Sequence, residues 1–207
     1  NLGLITFRET ALLINPAEMS AAAMESVAGT VAHELAHMQF GDLVTMKWWN
    51  GLWLNEGCAT FAGTKMVDRL YPQWKWSSRF ILQNVAALHD MDKKNSHAIE
   101  QSIKNPAEIR ELFDATTYAG GSAVCGMLSD YLSENGFRKG LKAYLEKYAY
   151  SNAETNDLWR ELGEANNKPV EAIMASYTRQ PGYPVLIVED EENKGMTRFH
   201  IKQKRFL

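Results

Sequence analysis

The chain has 207 residues, 45% of them hydrophobic and 23% charged, with a formal net charge of −3. That is enough to bury the core of a globular domain. The even spread of acids and bases gives no sign of a nucleic-acid surface or a polybasic membrane anchor. Apolar runs such as Ala11–Ile14 and Pro184–Val188 are far too short to span a bilayer. The two cysteines, Cys58 and Cys125, stand at no recognisable spacing in apolar helical surroundings, and read as reduced, buried thiols. No Asn-x-Ser/Thr sequon occurs, so both features lean towards a cytoplasmic setting. The chain opens on Asn1 with no signal peptide after it, and reads as a piece of something longer.

In chain order, Leu2–Ile14 is rich in β-branched and apolar residues and predicts one or two strands, ended by Asn15-Pro16. A helix is expected from about Ser20 to Phe40, started by an alanine run and stopped near Gly41. Asp42–Leu52 reads as a connector. A second helix follows over Leu54–Leu70, stopped by Tyr71-Pro72, and a third over Lys75–His89. Met91–Ser102 is a polar loop, and Pro106 opens a short helical turn.

Helical spacing returns over Thr117–Asn135, ended at Gly136, and over Phe137–Tyr148, where Phe137, Leu141, Tyr144, Leu145 and Tyr148 share one face. Asn156 is placed to cap a helix to about Ala165, and Pro169 to take the first position of the next. After Gln180 the character changes. Val185–Glu189 and Thr197–Lys204 read as strands joined through the turn-prone EENKG, which puts a domain boundary near Gln180.

The chemistry concentrates in HELAHMQFGDLVTMKWWNGLWLNEG, His33 to Gly57. His33 and His37 lie four apart on the first long helix, so both imidazoles leave the same face one turn apart. Two ring nitrogens so placed can reach one zinc ion at about 2.0–2.1 Å. Glu34 points about 100° away around the axis, beside the metal rather than on it, where it can hold a water. A catalytic zinc needs a third protein ligand and an open fourth position. Glu56, at the start of the next helix, is the candidate third ligand. Two histidines at this spacing also occur on surface helices with no metal; the motif's place on an amphipathic helix and the glutamate on the next one favour zinc.

At these residues the sequence resembles the M1 family of zinc aminopeptidases, in the gluzincin group. The family pattern is HExxH, eighteen residues, then glutamate, here His33, Glu34, His37 and Glu56. FGDLVTMKWW, LWLNEG, FDATTYAGGSAVCGML and QPGYPVLIV also look like M1 segments in their expected order. The resemblance implies a mainly α fold: the helical portion of a thermolysin-like zincin catalytic domain over residues 1–180. It would carry edge β-strands at the N-terminus and the start of a β domain at 181–207. It further implies one Zn2+ per chain held by His33, His37 and Glu56, with Glu34 as general base. The tyrosine that stabilises the tetrahedral intermediate maps onto Tyr118, which on residues alone reads as a core aromatic. The implied reaction is hydrolysis of the N-terminal bond of peptides with a free N-terminus.

Three departures qualify the resemblance. Gly120 stands where the family has lysine, Met38-Gln39 where it has Gln-Trp, and only the final asparagine of its GAMEN motif, Asn1, is present. The GAMEN glutamate binds the substrate's α-amino group in that family, so the chain is read as a truncated catalytic fragment. Two alternatives follow: a zinc endopeptidase of another gluzincin branch, or a zinc-binding fragment without activity. For the ligand histidines, Thr60 and Asp42 are candidate supports. His89, His97 and His200 have no partner spacing and are expected at surface or loop positions. Trp48, Trp49 and Trp53 are expected to pack the two zinc helices together. Glu189–Glu192 is a solvated hairpin end.

Overall fold

The N-terminal segment departs from expectation. The computed structural model describes residues 2–15, 17–91, 96–193 and 195–206, and among the first of these it has one four-residue helix, α1 (Glu9–Leu12), and no strand. Strand propensity measures fit to a pleated surface, and no neighbouring strand offers one here. Leu2, Leu4, Leu13 and Ile14 are accordingly left exposed.

Beyond this segment the chain is mainly helical, as its periodicity indicates. The alanine run becomes α2 (Ala21–His37), whose cap is Ser20, with Oγ accepting from the Ala23 N–H at 3.2 Å. A three-residue strand, β1 (Val44–Met46), and a 3-10 turn at Trp49–Gly51 lead into α3 (Leu52–Leu70). Helix α4 covers Trp76–Met91. Part of the loop expected next, residues 92–95, lies outside the described residues, as does Asn1. A 3-10 segment at Pro106–Leu112 and a π-helical turn at Thr116–Gly120 precede α5 (Gly121–Leu132).

The remaining helices are α6 (Glu134–Lys147), α7 (Thr155–Asn166) and α8 (Val170–Thr178). The break between α5 and α6 falls at Ser133, in a positive-φ conformation (φ 65°), rather than at Gly136. Its hydroxyl then caps α6 by accepting from the Gly136 N–H. Helix α7 is capped by Glu154, not Asn156. The Glu154 and Asp157 side chains each take the other's backbone N–H, a capping box that outcompetes a lone asparagine. Pro169 sits one residue earlier than expected, as the cap of α8.

Among the described residues two small sheets complete the fold. Strand β2 (Ser151–Ala153) pairs in parallel with β1, Val44 opposite Ser151. Strands β3 (Tyr183–Asn193) and β4 (Met196–Phe206) form a long antiparallel hairpin, Tyr183 opposite Phe206. The core lies among α3, α5, α6 and α7, with Trp53, Leu128, Leu158, Trp159 and Leu162 fully buried. Trp53 stacks on Trp159 at 5.2 Å and donates to Thr155 Oγ1 at 3.1 Å. It therefore fastens α3 to α7, not to α2 as expected. Trp48 is exposed and Trp49 rests near Phe113. Cys58 and Cys125 are buried free thiols with sulfurs 3.7 Å apart. No described helix is long and apolar enough to cross a membrane.

Two glycines set the distances that matter for function. A Cβ at Gly63 would lie 2.9 Å from the His33 nitrogen, and one at Gly57 would lie 2.8 Å from the Gly121 Cα. Glycine at both lets α3 press its backbone against α2 on one side and the start of α5 on the other. Glu56 is thereby carried between the histidines of α2 and the turn that holds Tyr118.

Candidate metal centre

Four of the five candidate residues meet in one place. His33 Nε2 and His37 Nε2 are 3.0 Å apart, and Glu56 Oε2 lies 3.3 Å from the first and 3.2 Å from the second. Among the described residues this is the one group of three histidine, cysteine or carboxylate side chains whose donor atoms cluster closely enough for a metal ion. The Tyr118 ring stacks beside His33, with centroids 5.9 Å apart and planes 24° from parallel. Glu34 follows His33 on α2, and its charge reaches both His37 and Tyr118.

The outer ring nitrogens fix the state of the inner ones. His37 Nδ1 is 2.9 Å from the Phe40 carbonyl, which can only accept, so this nitrogen carries a proton. His33 Nδ1 is 3.3 Å from Thr60 Oγ1, whose own hydrogen goes to the Glu56 carbonyl at 2.7 Å. Thr60 must therefore accept from His33. In their neutral forms both imidazoles then turn a bare Nε2 lone pair inward, towards a carboxylate. Thr60, one of the two candidate supports, faces His33, and the Phe40 carbonyl faces His37.

Three acceptors converge with no donor among them, and the set calls for a cation. Ligand atoms about 2.0–2.1 Å from one tetrahedral ion lie about 3.3 Å apart, which the three separations here match. A proton can substitute for the ion. Burial works against charge on both partners, yet the two imidazoles hold the Glu56 carboxyl down to about 2, and Glu56 with the Phe40 carbonyl raises His37. Burial first, then the Glu56 and Glu34 charges, push the Tyr118 phenol well above its ordinary value, so it stays a hydrogen-bond donor. A cleft of about 460 Å³ opens onto this group, lined by Glu25, Gly29, His33, Thr60, Trp76 and Tyr118.

Comparison with known proteins gives the family. Residues 1–177 match the peptidase family M1 domain. The chain belongs to peptidase family M1. It is 44% identical over its whole length to aminopeptidase M1 of Arabidopsis thaliana, 23% of whose length the match covers. It is likewise 43% identical to glutamyl aminopeptidase of Sus scrofa (21% covered), and 44% to puromycin-sensitive aminopeptidase of Caenorhabditis elegans (22% covered). The chain thus spans between a fifth and a quarter of the length of these curated relatives.

Two residues near this M1 site escaped the sequence reading. His97, in a loop as expected, is half-buried with Nε2 2.8 Å from Asp114 Oδ2. Asp114 in turn holds the turn that carries Tyr118. No helical period or metal spacing links residues 97 and 114, so no sequence signal joined them. His200 also has a partner, Glu191 on the facing strand at 3.6 Å, and Glu189 faces Lys202 at 3.7 Å. Both pairs lie on the exposed hairpin.

Proposed function

We propose that His33, His37 and Glu56 hold one zinc ion, and that this chain carries the hydrolytic centre of an aminopeptidase acting on peptides with a free N-terminus. The observation that carries the reading is the inward convergence of three lone pairs, two of them fixed by hydrogen bonds on the far side of each imidazole. Membership of a peptidase family whose matched relatives are named aminopeptidases supports the same reading.

Bound zinc supplies a Lewis acid that polarises the scissile carbonyl and draws the pKa of water down to about 7. The protein's own groups do the rest. Glu34 takes the proton of the attacking water at its carboxylate and passes it to the departing amine. Tyr118, kept as a phenol by its surroundings, donates to the carbonyl oxygen as negative charge develops there. A donor fixed in a partly desolvated site costs no reorganisation at that moment. Thr60 and Phe40 keep the two imidazoles aimed.

The test is zinc per chain by elemental analysis after dialysis, for wild type and Glu56→Ala side by side. We expect about one zinc in wild type, lost or much weakened in the variant. A folded wild type without zinc would sink the proposal. In the full-length protein, N-acetylated peptides should be cleaved far more slowly than their free-amine versions. Equal rates would point to an endopeptidase instead.

A further inference from the structure

Tyr118 must hold one position to serve the reaction, yet it sits in a π-helical turn, Thr116–Gly120. Such turns are rare, and something outside the turn has to favour this one. Asp114 does so from its N-terminal end. Asp114 Oδ1 accepts from the Thr117 N–H at 3.0 Å, and its carbonyl accepts from the Tyr118 N–H at 3.1 Å. The second carboxylate oxygen, Oδ2, is left for His97 Nε2 at 2.8 Å.

His97 is anchored in its turn. Its Nδ1 lies 2.8 Å from the Ala98 carbonyl. A carbonyl and a carboxylate both accept, so both ring nitrogens donate and the ring is an imidazolium. Three residues on, Glu100 ties the same loop to the end of α8. Its N–H donates to the Thr178 carbonyl at 2.8 Å, and the Thr178 hydroxyl donates to Glu100 Oε1 at 2.5 Å. A continuous set of contacts thus runs from α8 through the loop, His97 and Asp114 to the backbone of Tyr118.

We infer that the His97–Asp114 ion pair is the positioning device for Tyr118, fixing the π-helical turn so that the phenol stands beside His33 and Glu56. The phenol's part in the reaction rests on the function proposed above; the mechanical link does not. The pair is partly exposed, with side chains 19% and 30% accessible, so its contribution to global stability is small. Displacing a catalytic group by a fraction of an ångström is not a small effect. Because the phenol matters most as charge develops, disturbing its support should lower kcat and leave KM nearly unchanged.

The experiment is a double-mutant cycle on the zinc-loaded, full-length enzyme, paired with hydrogen–deuterium exchange of the same proteins. Tyr118→Phe should lower kcat about 100-fold, the scale of a lost oxyanion donor. His97→Gln should lower kcat about tenfold in the wild-type background and less than about twofold in Tyr118→Phe. Asp114→Asn keeps an acceptor for the Thr117 amide but loses the charge, and should fall between wild type and Asp114→Ala. Exchange in the peptide covering residues 115–120 should quicken about tenfold in His97→Gln, with α2 and α3 unchanged. Equal losses of kcat in both backgrounds, or unchanged exchange at 115–120, would overturn the inference. Faster exchange there in an enzyme that cleaves no peptide would uphold the link and overturn the peptidase reading instead.

Discussion

His33, His37 and Glu56 on one side, and His97 with Asp114 on the other, each set imidazole nitrogen against carboxylate oxygen at 2.8–3.3 Å. By distance alone they are the same kind of object. They differ in where the protons lie. The outer nitrogen of His97 faces a carbonyl and its inner one a carboxylate, so two protons meet two acceptors and nothing is wanting. The outer nitrogens of His33 and His37 also donate, but their inner ones lie 3.0 Å apart as well as against Glu56, so protonating both would set two imidazolium charges side by side on one carboxylate. The His97–Asp114 pair is complete as it stands; the triad is completed by the cation proposed above. Counting donors and acceptors, rather than measuring separations, tells an ion pair from a metal site.

The sharpest way to test this division uses the one carboxylate that belongs to neither group. In the proposed function Glu34 moves a proton and does not hold the ion. Glu34→Gln should therefore keep zinc at the wild-type level while lowering kcat by about 10³-fold, within the usual range for a positioned acid or base. Elemental analysis and steady-state kinetics on one preparation would check both halves. Zinc lost together with activity would mean that Glu34 is a ligand and that the triad is wrongly drawn.

A second test breaks the triad without touching its ligands. At Gly63 a methyl group would stand 2.9 Å from the His33 nitrogen and 3.1 Å from its Cα, both backbone atoms that cannot swing aside. Gly63→Ala should push α3 from α2 and carry Glu56 off the two histidines. We expect a loss of about 1–3 kcal/mol of stability, typical of overpacking, with zinc bound at least tenfold more weakly. Unaltered zinc affinity would show that the close approach of these helices is not what assembles the site.

The two groups also differed in how far the sequence revealed them. Periodicity found α2 and α3, and the four-residue spacing of His33 and His37 put both on one face. Glu56 needed only a short connector and a following helix. Tyr118 was different: the resemblance to M1 enzymes singled it out, because nothing in a lone tyrosine marks it as near a metal. His97 and Asp114 were invisible as a pair, since they sit in irregular segments with no period to relate them. The same limit hid β1 and β2, three-residue strands whose partners lie over a hundred residues apart. It also misled at the N-terminus, where strand-prone residues found no strand to join. Patterns carried by one element were legible, and pairings between distant irregular segments were not.

The smallest expected effect separates the groups by pH. The hydrogen bond to Asp114 raises His97 above its ordinary 6.5, against the opposing pull of burial. Burial opposes charge on Asp114 too, but His97 and the turn's amides hold it below its ordinary 3.8. For His97 the stabilisation is complete below the unfolded value and is lost as pH rises through the higher folded one. For Asp114 it is complete above the unfolded value and is lost as pH falls through the lower folded one. The pair therefore contributes most between about pH 4 and 6.5. Being partly exposed, it is worth about 1 kcal/mol or less. The unfolding free energy of wild type minus that of His97→Gln, by urea titration with zinc held constant, should be largest near pH 5.5 and shrink by pH 9. Taking the difference removes the pH response of the metal ligands, which both proteins share. A difference that instead grew towards pH 9 would mean that His97 is held neutral. The completeness that sets this pair apart from the triad of His33, His37 and Glu56 would then be lost.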